Sequence, residues 1–163
     1  MADVARALIG GIIAGIVGVA LAFALFIGVG SNVLFDPMLQ SAKVLAVWQQ
    51  LEPIPDMTAI AAILFVFGII HGFVFDALRG SLPGHGLSKG VAFGALMWLI
   101  QSVFFVSFGA VAVLGEPLGL AALEALFWLI VLVVEGLIIA AVFSYRGPQR
   151  RIAGEERPTR RGG

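Results

Sequence analysis

The stretch FGIIHGFVFDALRGSLPGHGLSKGVAFGALMW, Phe67 to Trp98, decides the fold. It holds two apolar runs joined by a short Gly-rich loop that carries Arg79, His85 and Lys89. Glycines recur four residues apart on each run, Gly68 with Gly72 and Gly90 with Gly94. The two runs extend beyond this stretch on either side, to about residues 58 and 114, and so reach the length that a bilayer core demands, about 20 apolar residues per helix. The stretch therefore reads as a transmembrane helical hairpin.

Composition points the same way. Hydrophobic residues make up 60% of the 163-residue chain and charged residues 12%, with mean hydropathy +1.05. A soluble domain is about half apolar and about a quarter charged. One core in a chain this small could not hide so much apolar surface, so lipid must be the solvent for much of it. With no cysteine, disulfides, iron–sulfur clusters and thiolate metal sites are excluded. The first apolar run, Ala7 to Gly30, is too long for a signal-peptide core and lacks a clean cleavage site, so it reads as a retained helix.

Four spans are expected, at about 7–29, 58–78, 90–114 and 118–145. The apolar runs are continuous rather than alternating, which argues against a β-barrel. Lipid supplies no hydrogen bonds to the backbone, so α-helices remain. The expected fold is thus all-α, a bundle of four transmembrane helices over residues 1–145. Asp36-Pro37 supplies an N-cap and a first-turn proline, which predicts a short interfacial helix over about 37–51 with Trp48 at the membrane surface. After Tyr145 the composition switches to an Arg-rich tail, residues 146–163, with six arginines and almost nothing apolar.

Small residues mark the expected packing faces. Gly10, Ala14 and Gly18 recur at four-residue spacing on the first helix, with Gly11 and Gly15 beside them. Such faces let backbones approach closely. The short loop after Arg79 predicts that the second and third helices are antiparallel neighbours, with Gly68 and Gly72 facing Gly90 and Gly94. Gly80 is the expected left-handed C-terminal cap of the second helix and Ser88 the expected N-cap of the third.

Basic residues set the expected orientation. Arg6, Arg79, Lys89 and the six tail arginines are nine of the ten Lys and Arg residues, while the other two loops hold only Lys43. The positive-inside rule puts both termini and the Gly-rich loop in the cytoplasm, with the protein in the cell (inner) membrane. Arg79, Lys89, Arg146, Arg150 and Arg151 are then candidates for contact with anionic lipid headgroups, worth about 1 kcal/mol each near the surface. The loop does not fit the phosphate-binding pattern, because the residue order is wrong and no strand precedes it.

Ionisable groups inside a span are costly, so each is a functional candidate. Asp76 lies three residues before Arg79 and reads as its ion-pair partner. Glu124 lies near the outer end of the fourth helix, where it can reach water. His71, Gln101 and Glu135 differ from these. Counted from the cytoplasmic helix ends at about 1.5 Å per residue, they lie roughly 10, 16 and 15 Å deep, one on each of three helices. They form a candidate intramembrane polar cluster, as a structural hydrogen-bonded node or as a protonatable relay. Trp98, Gln101, Phe104, Phe105 and Phe108 outline an aromatic face for lipid, a quinone or a partner. Haem ligation wants matched histidines on facing helices, and only His71 lies within a span. The two histidines and scattered carboxylates show no metal-ligand spacing. No cofactor, metal or catalytic residue is therefore expected, and an enzyme is disfavoured.

ALIGGIIAGIVG in the first helix, IIHGFVFDAL in the second and LPGHGLSKGVAFGALMWLI leading into the third resemble bacterial four-helix inner-membrane proteins of the uncharacterised YagU-like kind. The resemblance covers residues 7–145 and implies architecture alone. The leading functional expectation is a non-catalytic accessory or scaffold subunit of a larger membrane assembly. Its partners would be the bilayer and other membrane subunits or further copies of itself, with no nucleic acid. The alternative is a small oligomeric transporter or channel using Glu135 and His71, and a cofactor-binding redox subunit comes third.

Overall fold

The computed structural model describes residues 2–35, 37 and 57–145. The expected interfacial helix (37–51) and the Arg-rich tail, with Arg146, Arg150 and Arg151, lie outside the described residues save for position 37. Helix α1 (Ala2–Phe23) continues in wider π-helical windings at Ala24–Val29 and Ser31–Phe35. It is followed by α2 (Met57–Leu78), α3 (Leu87–Met97) and α4 (Leu118–Ser144). Two further π-helical segments, Trp98–Val103 and Val106–Val113, extend α3. No strand occurs among the described residues. Four helical stretches are long and apolar enough to cross a membrane: Asp3–Val29, Met57–Leu78, Leu87–Val113 and Leu118–Ser144. The protein is an all-α bundle built for a bilayer.

The turns follow from the residues that interrupt these helices. Gly84, Gly86 and Gly115 take positive φ, 87°, 52° and 68°, which costs glycine little and other residues much. Gly80 is not among them, so the left-handed position falls later in the loop than the sequence suggested. Ser88 is also displaced from its expected role. Gly86 stands at the N-cap of α3, and the Ser88 hydroxyl reaches back to His85, accepting from its N–H (2.7 Å) and donating to its carbonyl (2.8 Å). A loop of several residues gave this hydroxyl more than one backbone target.

The order of neighbours is set by glycine seams. Gly11, Gly15, Gly68 and Gly72 all lie in the contact between α1 and α2. A Cβ on Gly11 would lie 2.8 Å from the Ile69 Cα, and one on Gly15 would lie 2.7 Å from the Phe65 carbonyl oxygen. Gly90 and Gly94 meet α4 instead, against Gly136, Leu132 and Val133. Along the third contact, α1 on α4, Ala14 is fully buried and Gly10 lies beside Ile139. The expected glycine-to-glycine contact between α2 and α3 is therefore wrong. Those two helices make no comparable backbone approach. They are separated by aromatic side chains, with Phe75 and Phe93 edge to face at 5.3 Å. A short loop makes two helices antiparallel, but the side chains between them decide how closely they pack.

Phe75, Phe93, Met97, Leu132, Ile139 and Ala140 form the core with Ala14. Ile9, Ile13, Ile16, Ile63, Ile70 and Phe73 are exposed on the outer surface. Continuous outward apolar surface is a liability in water and ordinary in lipid. At one end of the bundle Arg79 ties α1 to α2, reaching Asp76 (3.0 Å) and Asp3 (3.2 Å) with its guanidinium 4.9 Å above the Phe143 ring of α4. The start of α1, the 79–86 loop and the end of α4 thus share one face.

Candidate functional site

Glu135 sits on α4 one residue before Gly136, which closes the seam with α3. Its side chain points toward α1, where Gly18 leaves the space it needs. A Cβ on Gly18 would run into Oε1 of Glu135. The carboxylate's other oxygen, Oε2, lies 2.7 Å from Nδ1 of His71 on α2. Nε2 of the same ring lies 3.0 Å from Nε2 of Gln101, on the π-helical continuation of α3. Three helices thus contribute one polar group each and the fourth contributes a gap. The structure brings together His71, Gln101 and Glu135.

The site is closed. The side chains of His71 and Glu135 are 3% and 6% exposed. The imidazole lies between Phe67, stacked at 6.3 Å, and Phe93, edge-on at 6.1 Å. Met97 Sδ lies 3.9 Å from the Gln101 amide nitrogen. Burial without a partner would cost each of these polar groups several kcal/mol (~2–7), which makes the mutual bonds necessary.

Donor and acceptor chemistry gives the arrangement a direction. An amide nitrogen only donates, so Gln101 donates to His71 Nε2 and the ring carries its own proton on Nδ1. Nδ1–H then donates to the Glu135 carboxylate. Rotating the Gln101 amide by half a turn would present its oxygen, which accepts from a protonated Nε2. The two arrangements differ by one proton, so the amide's orientation and the proton count of the triad are coupled. Both ring nitrogens of His71 are engaged, and ligating a haem iron would cost the triad one of its two bonds. Among the described residues no group of three or more His, Asp or Glu side chains lies together as a metal site would require.

The remaining candidates fall elsewhere. Asp76 pairs with Arg79 as its spacing suggested. Arg79 is engaged by two carboxylates, and Lys89 Nζ donates to the Arg79 carbonyl oxygen. Glu124 is half-buried on α4, with the Trp128 side chain beside it. Trp98 turns inward, its indole N–H donating to the Ala125 carbonyl at 2.7 Å. Phe104, Phe105 and Phe108 project from the bundle, with Phe105 74% exposed. Sequence reasoning missed Gly136 and the specific task of Gly18. The other glycine of α4, Gly119, lies at the far end of the helix, and the seam that Gly136 completes is visible only with Gly90 and Gly94 beside it. Glu116, in the turn between α3 and α4, is a third residue that the sequence did not single out, and it is buried.

Comparison with protein-family models, with curated proteins and with solved structures gave no match.

Proposed function

We propose that this chain is a non-catalytic integral membrane protein that serves as an accessory or scaffold subunit of a larger membrane assembly. One observation carries the reading. His71 and Glu135 are buried inside the bundle and, with the half-buried Gln101, form an intramembrane triad whose groups hydrogen-bond one another. A buried, mutually satisfied node of this kind holds helices in register. The glycine seams around it bring backbones together and leave little room for a solute. The projecting Phe104, Phe105 and Phe108 offer an aromatic ridge to a neighbouring subunit. The nine basic residues of the N-terminus, the 79–86 loop region and the tail orient both termini to the cytoplasm of a bacterial inner membrane. The YagU-like resemblance belongs to this same reading.

The second reading, a small oligomeric transporter or channel, is favoured by one feature. The triad has two hydrogen-bonding arrangements that differ by a proton, and Gln101 lies on a π-helical segment, a winding often found at functional positions. Native mass spectrometry of gently solubilised protein separates the two. The scaffold reading expects a hetero-assembly with other membrane subunits. A homo-oligomer with no other subunit would favour transport.

A further inference from the structure

The outer end of the bundle holds a carboxyl group that the triad does not explain. Glu116 lies in the tight turn Gly115-Glu116-Pro117 between the α3 extension and α4. Its backbone N–H donates to the Ala110 carbonyl at 2.8 Å, and the neighbouring Leu114 and Gly115 N–H groups fold back onto Gly109 and Val111. Its side chain is therefore directed by a turn that is itself fully hydrogen-bonded. The residue is 3% exposed, and neither carboxyl oxygen has a hydrogen-bond partner.

Among the described residues, the groups around it offer no compensating charge. On α4 the facing ionisable residue is Glu124, which is of the same sign. The other described segments that reach this end are residues 24–35 of α1 and its continuation, 57–60 of α2 and 104–114 of the α3 extension. None of them contains an Asp, Glu, His, Lys or Arg. A bare carboxylate buried among such neighbours would cost far more than a neutral acid.

We infer that Glu116 is held as the neutral, protonated acid in the closed hairpin, and that its ionisation is a pH-sensitive release of the turn between α3 and α4. Burial, and next to it the charge of Glu124, push the Glu116 carboxyl above its ordinary value near 4.5. The folded state therefore binds this proton more tightly than the unfolded chain does. Its contribution to stability is full below the ordinary value and is lost as pH rises through the raised one. The release would act on the hairpin that ends in the projecting Phe104–Phe108 ridge, at the opposite end of the bundle from Arg79.

The test compares thermal unfolding of the full chain and of Glu116→Gln in detergent from about pH 4 to about pH 9, which starts below the ordinary value and passes above the raised one. Carboxylates and histidines remote from Glu116 contribute equally to both proteins, so the difference between the curves isolates Glu116 together with its coupling to Glu124. The variant should match wild type at the acidic end and exceed it at the alkaline end by a few degrees, roughly 2–4 °C. A variant less stable than wild type by a constant amount at every pH would overturn the inference, because Glu116 would then be an ionised partner to a cation. Lys43, the one basic residue between the first two spans, is the candidate cation within this chain. Lys43→Met should therefore leave the pH profile of wild type unchanged, and loss of that profile would contradict the inference. Infrared spectroscopy of wild type gives an independent reading that does not need the glutamine variant to fold. A protonated-carboxyl band that disappears as the unfolding temperature falls supports the inference, and a temperature that falls with no such band overturns it.

Discussion

The half of the bundle beside the 79–86 loop and the half beside Glu116 are built on different terms. In the first, Gly11, Gly15, Gly68, Gly72, Gly90, Gly94 and Gly136 all face another backbone or its carbonyls. In the second, Gly28, Gly109 and Gly119 have open space where a side chain would go. Glycines in the helix seams are a packing requirement in the first half, and Gly28, Gly109 and Gly119 are unconstrained in the second. Outside the seams the pattern is mixed: Gly80 in the first loop is open, while Gly30 meets the Leu25 carbonyl and Gly115 takes a positive φ. The windings differ in parallel, since the π-helical segments of α1 and α3 begin at Ala24 and Trp98 and run toward the second half. Polar chemistry follows the packing. Each side chain of the triad has a hydrogen-bond partner where the helices are close, while Glu116 has none where they are not. Close backbone approach is thus what allows this chain to bury charge in a matched way.

Substitutions in the two halves should separate this cleanly. The largest effect is expected from His71→Ala, which leaves Glu135 buried with its bond removed. Breaking a buried pair in this way costs about 3–5 kcal/mol. Glu135→Gln keeps a polar side chain of the same shape opposite the ring and should cost about 1 kcal/mol, in line with hydrogen bonds between membrane helices. Denaturant unfolding in micelles would measure both, and equal losses would show that the pair is not coupled as described.

The glycines give the next contrast. Gly94→Ala would place a Cβ 2.5 Å from the Leu132 carbonyl oxygen and the Val133 Cα, so α3 and α4 must part. Overpacking of this kind costs about 1–3 kcal/mol. Gly109→Ala meets nothing and should instead stabilise by about 0.5–1 kcal/mol, the conformational advantage of alanine in a helix. The same unfolding measurement applies, and two changes of the same sign would erase the distinction between the halves.

Much of the architecture was legible in the chain. The four spans follow from continuous apolar length, and their observed bounds differ from the expected ones by a few residues. The depth of His71, Gln101 and Glu135 could be counted along each helix, because rise per residue is constant. Helix rotation and neighbour order could not. A small-residue stripe says that a backbone will come close and does not say which one. For that reason Gly68 and Gly72 were assigned to the wrong partner, although their role was recognised. Glu116 was hidden for a different reason. An acidic residue between glycine and proline in a turn ordinarily faces water, and its burial becomes visible only in three dimensions.

Whether the triad holds helices or moves protons is the point on which the functional reading rests. Proton flux into sealed vesicles reconstituted with wild type and with Glu135→Gln tests it directly. A sealed structural node predicts that both proteins give the flux of protein-free vesicles, with the variant differing only in stability. Flux carried by wild type and abolished in a folded Glu135→Gln protein would contradict it.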